Sequence, residues 1–183
     1  EPAAVTGNLL LDHLMGAKIH WAGDHRKGED IPALAEQLRS LGNRPFTVPY
    51  GGSTELGATG FVEALFELER QTSAIGLNFD HLVFASSSGG TQAGLMVGKR
   101  LLNQNYRITG IAIDKIANAE QSLAERILEL ANATARFLGT GFRLSSTDLH
   151  LDDGYSGSGY GEVSPGDREA IQLLAGHEGI LLD

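Results

Sequence analysis

Leu82-Val83-Phe84-Ala85, then Ser86-Ser87-Ser88-Gly89-Gly90-Thr91, then a stretch of helical spacing over 92–102, is the run that decides the reading of this chain. An apolar segment of strand character passes through a turn of hydroxyls and glycines into a helix. Glycines let backbone N–H groups converge on a ligand without Cβ interference, hydroxyls add donors, and the helix start offers the positive end of its dipole. A phosphate group is the expected guest. The same pattern also describes a tight strand-to-helix turn with nothing bound, so its rivals matter. A nucleoside-triphosphate loop wants Lys directly before its hydroxyl residue, yet Gly90 precedes Thr91 and the nearest lysine, Lys99, lies two helical turns on. A dinucleotide fingerprint wants G-x-G-x-x-G, whereas the glycines here are Gly89, Gly90 and Gly94, with no acidic residue after a second strand at the expected distance. A serine-hydrolase elbow needs Gly two residues before its nucleophile; Ser86 stands there if Ser88 is the candidate, although Asp148 and His150 follow in order.

On either side of this run the apolar spacing alternates between helix and strand periods. Helices are predicted over 8–15, 31–41, 55–72, 92–102 and 119–137, with a last one from Pro165 to about residue 177; strands are predicted over 17–21, 46–48, 81–85 and 107–113. In 119–137 the apolar residues Leu123, Ile127, Leu130 and Ala131 are separated by charges, the pattern of an amphipathic helix packed on a sheet. Successive crossover units of this kind predict an α/β fold, three-layer αβα with a mainly parallel sheet. The segment Gly154-Tyr155-Ser156-Gly157-Ser158-Gly159-Tyr160-Gly161 reads as a surface loop, or as a loop that presents a tyrosine ring to a planar ligand.

Composition narrows the function classes. The 183 residues, 42% hydrophobic and with 24 glycines, suffice for a real core in one large or two small units. A net charge of −9 and 14 unclustered Lys and Arg argue against a nucleic-acid partner, while one small phosphorylated ligand stays compatible. With no Cys, disulfides, thiolate nucleophiles and zinc-thiolate sites are excluded, and the cytoplasm is the expected compartment. No apolar stretch is long enough to span a bilayer, so no membrane partner is expected. The six histidines form no metal-ligand spacing; His20 and His25 lie five apart and no His-Glu-x-x-His occurs. Asp152-Asp153, ahead of the glycine-rich segment, read as turn residues rather than an acid–base pair.

Four motifs in order carry a resemblance: Gly7-Asn8-Leu9-Leu10-Leu11-Asp12; Val48-Pro49-Tyr50-Gly51-Gly52-Ser53; Ala85-Ser86-Ser87-Ser88-Gly89-Gly90-Thr91-Gln92-Ala93-Gly94; and Gly159-Tyr160-Gly161. Over essentially the whole chain they resemble the D-cysteine desulfhydrase and aminocyclopropane-carboxylate deaminase family of pyridoxal-phosphate enzymes. The resemblance implies fold type II, akin to the tryptophan synthase β subunit, with two α/β domains closing around the cofactor. Residues 1–49 would complete the smaller domain and 50–183 would form most of the larger, cofactor-binding one.

By the same resemblance, Ser87, Ser88, Gly89, Gly90 and Thr91 would hold the phosphate of pyridoxal phosphate, and Tyr160 would be the catalytic candidate, a proton donor or positioning hydroxyl. Ser87 departs from the pattern, because relatives of the desulfhydrase type usually have Gly there; a positive φ at that position would make Ser uncomfortable. The family's Schiff-base lysine, in a Gly-Asn-Lys motif, has no counterpart among these residues, nor has its Ser-Asn-His or its Pro-Val-Tyr segment, so the chain resembles the middle of an enzyme. For the intact enzyme the resemblance implies a homodimer acting on a small amino acid, with the cofactor's conjugated ring taking up electrons as a bond breaks. D-cysteine desulfhydration is the favoured expectation, on the Ser-Gly-Gly-Thr form of the loop, and deamination of the cyclopropane amino acid is the alternative. A reading of another class is a non-catalytic fragment that keeps the phosphate loop and lacks the lysine.

Overall fold

Three parallel strands in the order β1-β2-β3 organise the larger part of the molecule, which is described by a computed structural model over residues 5–25, 28–113, 121–155 and 162–182. Strand β1 (His81–Ser86) pairs with β2 (Arg107–Ala112) from His81 opposite Arg107 to Ser86 opposite Ala112. Strand β3 (His150–Asp152) pairs with β2 from Thr109 opposite His150 to Ile111 opposite Asp152. The alternation expected of a half-covered sheet is present: Leu82, Phe84 and Ser86 turn toward the core, while Val83 on the other face is 59% exposed. Ile108, Gly110 and Ala112 are the buried set of β2.

The chain divides into two compact units, Glu1–Tyr50 and Gly51–Asp183. The first holds helices α1 (Gly7–Leu14) and α2 (Ile31–Ser40), with Ala35 its one buried residue among those described. The strands expected over 17–21 and 46–48 are not strands in this structure. A strand needs a neighbour to take up its N–H and C=O groups, and neither run has one among the described residues. Periodicity reports which face a segment would bury, not whether a partner lies alongside.

The second unit carries α3 (Glu55–Ala74), α4 (Gly90–Leu101), α5 (Leu123–Phe137) and α6 (Pro165–Glu178). Each of α3, α5 and α6 starts at a hydroxyl cap: Thr54 accepts from Gly57 N, Ser122 from Glu125 N, and Ser164 from Asp167 N. The start expected at 119 for α5 falls on residues 114–120, outside those described. Helix α4 is central, packed against α3, α5 and β2, and seven consecutive residues from Gln92 to Gly98 are buried. Its small residues make that possible. A Cβ on Gly94 would run into the Ala58 carbonyl and come within 2.7 Å of Phe61 Cβ, so glycine lets α3 and α4 touch backbone to backbone.

The core has two parts. Ala58, Val62, Ala93, Met96, Val97, Ile127, Ala131, Ala135 and Leu144 fill the space among α3, α4 and α5. Leu65, Leu95, Tyr106 and Ile108, with Leu82, Phe84 and Phe79 against them, join the helices to the sheet. The α/β class with a parallel sheet is the one expected. Strand β3 is an addition to the expected set: three residues, of which only Leu151 is apolar, are too few to show an alternation.

Candidate anion site at the start of helix α4

The chain leaves β1 at Ser86 and enters α4 four residues later, so the loop is short and its geometry is determined by a few contacts. Gly89 is the N-cap residue and adopts the left-handed conformation, φ 95°. A Cβ there would lie 2.9 Å from Ile127 Cγ1 on α5, so glycine is required both for its backbone angle and for the close approach of α5. Ser87 does not have a positive φ: Asn103 is the only non-glycine residue with one among those described. The strain that a serine at 87 would otherwise carry is absent.

Gln92 ties the loop together from below. Its side chain is fully buried, Ser86 Oγ donates to its Oε1 at 3.0 Å, and its Nε2 donates to the His150 carbonyl of β3 at 2.8 Å. Both ends of the amide are thus satisfied, as a buried amide must be. Space for it comes from Gly110 of β2, where any Cβ would meet Gln92 Oε1. The His150 ring has its pKa lowered, chiefly by burial and then by the positive charges of Arg107 and Lys99.

A second glycine-rich segment closes on the loop from above. Ser53 Oγ donates to Ser88 Oγ at 2.8 Å and accepts from Gly90 N at 3.2 Å. Gly51, at φ 65°, has room only for hydrogen, since a Cβ would strike Ser88 Oγ. The amides of the first turn of a helix have no helical carbonyl to bond, which here concerns Gly90, Thr91 and Gln92; the first of these is taken up by Ser53. No carboxylate stands in that turn, and Lys99 and Arg100 in the last turn complement the opposite end of the dipole. Backbone amides, nearby hydroxyls, a glycine at 51 where a side chain would strike Ser88, a left-handed glycine at 89 that turns the chain into the helix, and no carboxylate in the first turn are the donor set that a phosphate monoester requires.

Of the residues singled out in the sequence, Ser87, Ser88, Gly89, Gly90 and Thr91 lie in this one turn. Tyr160 falls outside the described residues. Lys99 sits nine residues along α4 from Gly90, about 13 Å by helix rise, and is not part of the loop. Ser53 and Gln92 stand within the motifs quoted from the sequence but carry no role that the sequence reveals; their part is visible only in the hydrogen bonds they make. Among the described residues no group of His, Asp or Glu is arranged to hold a metal, and no helix is long and apolar enough to cross a membrane.

A family profile described as "Pyridoxal-phosphate dependent enzyme" matches residues 1–183. A putative 1-aminocyclopropane-1-carboxylate deaminase of Pyrococcus furiosus is 35% identical over 97% of this chain and 53% of its own length. The 1-aminocyclopropane-1-carboxylate deaminase of Burkholderia cenocepacia is 37% identical with the same coverage, and the D-cysteine desulfhydrase of Salmonella paratyphi C is 36% identical over 100% of this chain and 54% of its own. A crystal structure titled as an ACC deaminase homologue superposes with a TM-score of 0.85 at 29% identity, covering all of this chain and 54% of that one. The chain therefore spans about half the length of the relatives it matches.

Proposed function

We propose, for a chain that belongs to the family of pyridoxal-phosphate dependent enzymes, that the turn 87–91 seats the cofactor phosphate in an enzyme acting on a small amino acid. The single observation that carries this reading is the left-handed Gly89 at the mouth of a helix whose first turn holds no carboxylate and is roofed by Gly51 and Ser53. Ser88 and Thr91 would supply hydroxyl donors, and the amides of Thr91 and Gln92 would supply N–H donors. When bound, pyridoxal phosphate supplies an electron sink for bond cleavage next to the amino group of a substrate. Residues 87–91 would hold its phosphate, Gln92 braces the loop against β1 and β3, and the first turn of α4 has no carboxylate to repel it. Tyr160 is proposed as the residue that donates a proton or positions the substrate.

Within the family we assign the protein to D-cysteine desulfhydration, in which D-cysteine and water give pyruvate, sulfide and ammonia. The Ser88-Gly89-Gly90-Thr91 form of the loop supports this choice. The alternative is deamination of 1-aminocyclopropane-1-carboxylate, in which the ring opens and water and the amino acid give a 2-oxoacid and ammonia; relatives bearing that name are 35–37% identical. Residues 1–49 are proposed to belong to the smaller domain and 50–183 to the larger, in a homodimeric cytoplasmic enzyme. The deciding experiment is a side-by-side assay of the full-length protein, loaded with pyridoxal phosphate, on both substrates. Sulfide release from D-cysteine at a kcat/KM at least tenfold above that for the cyclopropane amino acid is expected; the reverse ratio overturns the assignment, and turnover of neither overturns the enzyme reading.

A further inference from the structure

We infer that Ser53 is a positioning residue of the phosphate seat, holding the Ser88 hydroxyl as a donor toward a bound phosphate. The inference rests on the reading of 87–91 as that seat and deepens it. Ser53 lies on neither the loop nor α4. Its hydroxyl nevertheless bonds both: it accepts the amide of Gly90 at 3.2 Å and donates to Ser88 Oγ at 2.8 Å. A hydroxyl oxygen that accepts one bond still has its own proton to give. Ser53, having accepted from Gly90, gives its proton to Ser88; Ser88, having accepted that proton on a lone pair, keeps its own O–H to donate.

The order of the series is therefore Gly90 N–H to Ser53 O–H to Ser88 O–H, which leaves the last proton available for a phosphate oxygen. Each donor in such a series polarises the next. The series also begins at the first amide of α4, so the positive end of the helix reaches Ser88 through Ser53. The packing shows that the arrangement leaves no slack. A Cβ on Gly90 would come within 2.8 Å of Ser53 Oγ, and a Cβ on Gly51 would strike Ser88 Oγ. Glycine at both positions lets the two hydroxyls and the amide meet.

The rival role for Ser53 is that of a placeholder, which occupies the Gly90 amide until a phosphate displaces it. The two roles predict opposite signs. In the full-length protein, binding of pyridoxal phosphate and of pyridoxal, which lacks the phosphate, is measured by fluorescence titration for the parent, Ser53→Ala and Ser53→Thr. Positioning predicts that Ser53→Ala weakens pyridoxal phosphate about tenfold, the loss of one hydrogen bond to a charged group, leaves pyridoxal within about twofold, and that Ser53→Thr restores most of the loss. Unchanged or tighter binding of pyridoxal phosphate by Ser53→Ala overturns the inference in favour of the placeholder. Equal weakening of both ligands overturns it in favour of a merely structural contact. If the parent protein prefers pyridoxal phosphate no more than pyridoxal, the phosphate seat itself fails, and the inference falls with it.

Discussion

Gly89 shows how much a single residue can carry in this fold. Its φ of 95° and the 2.9 Å approach of Ile127 to its missing side chain make Gly89→Ala costly twice, once as backbone strain of about 1–3 kcal/mol and again as displacement of α5. We expect a lower urea midpoint and at least tenfold weaker binding of pyridoxal phosphate by the full-length variant; a midpoint equal to the parent's would contradict the left-handed cap. Gln92 carries a different load. Gln92→Leu keeps the volume but removes the partner of the buried Ser86 hydroxyl, at about 1–3 kcal/mol for a buried group left unpaired, and one bond to the part-buried His150 carbonyl. Urea unfolding should show that loss, and a stability within about 0.5 kcal/mol of the parent, the scale of an ordinary surface substitution, would mean that the bonds are dispensable. Tyr160→Phe addresses the proposed chemistry: turnover should fall far more than cofactor affinity, and unchanged turnover removes Tyr160 from the mechanism.

Helices α3 and α4 meet through glycines, which sets their tolerance to change. Gly94→Ala drives a methyl into the Ala58 carbonyl, whereas at Gly98 the nearest atoms, Leu65 Cδ2, Leu65 Cβ and the Val62 carbonyl oxygen, stand at 3.2, 3.3 and 3.3 Å, a tight fit rather than an overlap. Thermal melts should therefore show Gly94→Ala destabilised by about 1–3 kcal/mol, the usual range for overpacking, with Gly98→Ala clearly milder; equal effects would mean that α3 shifts freely. The caps of α5 and α6 respond to pH. Glu125 accepts from Ser122 N at 2.8 Å and from Ser122 Oγ at 2.7 Å, and Asp167 accepts from Ser164 N at 2.7 Å. The hydroxyls of Ser122 and Ser164 first, and their backbone amides second, hold both carboxyls below their ordinary pKa. A group lowered on folding contributes stability above its unfolded pKa and loses it as pH falls through the folded value. The Tm advantage of the parent over a Glu125→Gln, Asp167→Asn double variant should thus be full near neutrality and shrink to nothing as the solution is acidified below the carboxylate range; an advantage that persists in acid would rule out the charged caps as its source.

At the scale of the whole molecule, the 183-residue chain exposes much apolar surface: Phe46 is 87% exposed, Leu181 82%, Met15 76% and Val83 59%. Surfaces of that kind seek cover, and the chain expressed by itself should self-associate with concentration in sedimentation velocity; a monomer across the whole range would show that these side chains are tolerated in water. What the sequence by itself determined was local: the alternation of helix and strand periods in the second unit, and a loop of Ser87, Ser88, Gly89, Gly90 and Thr91 read as a turn from a strand into a helix. The signal was legible because spacing and φ preference act within a few residues. Tertiary structure decided the rest. The strands expected over 17–21 and 46–48 had the right period but no neighbour among the described residues, and β3, with hardly any pattern of its own, is a strand because β2 lies beside it. Ser53 reaches Ser88 across 35 residues and Gln92 reaches the His150 carbonyl across 58. No periodicity encodes such pairings, because a hydrogen bond between distant residues exists only after the packing of α3, α4 and the sheet has brought its two atoms within about 3 Å of each other.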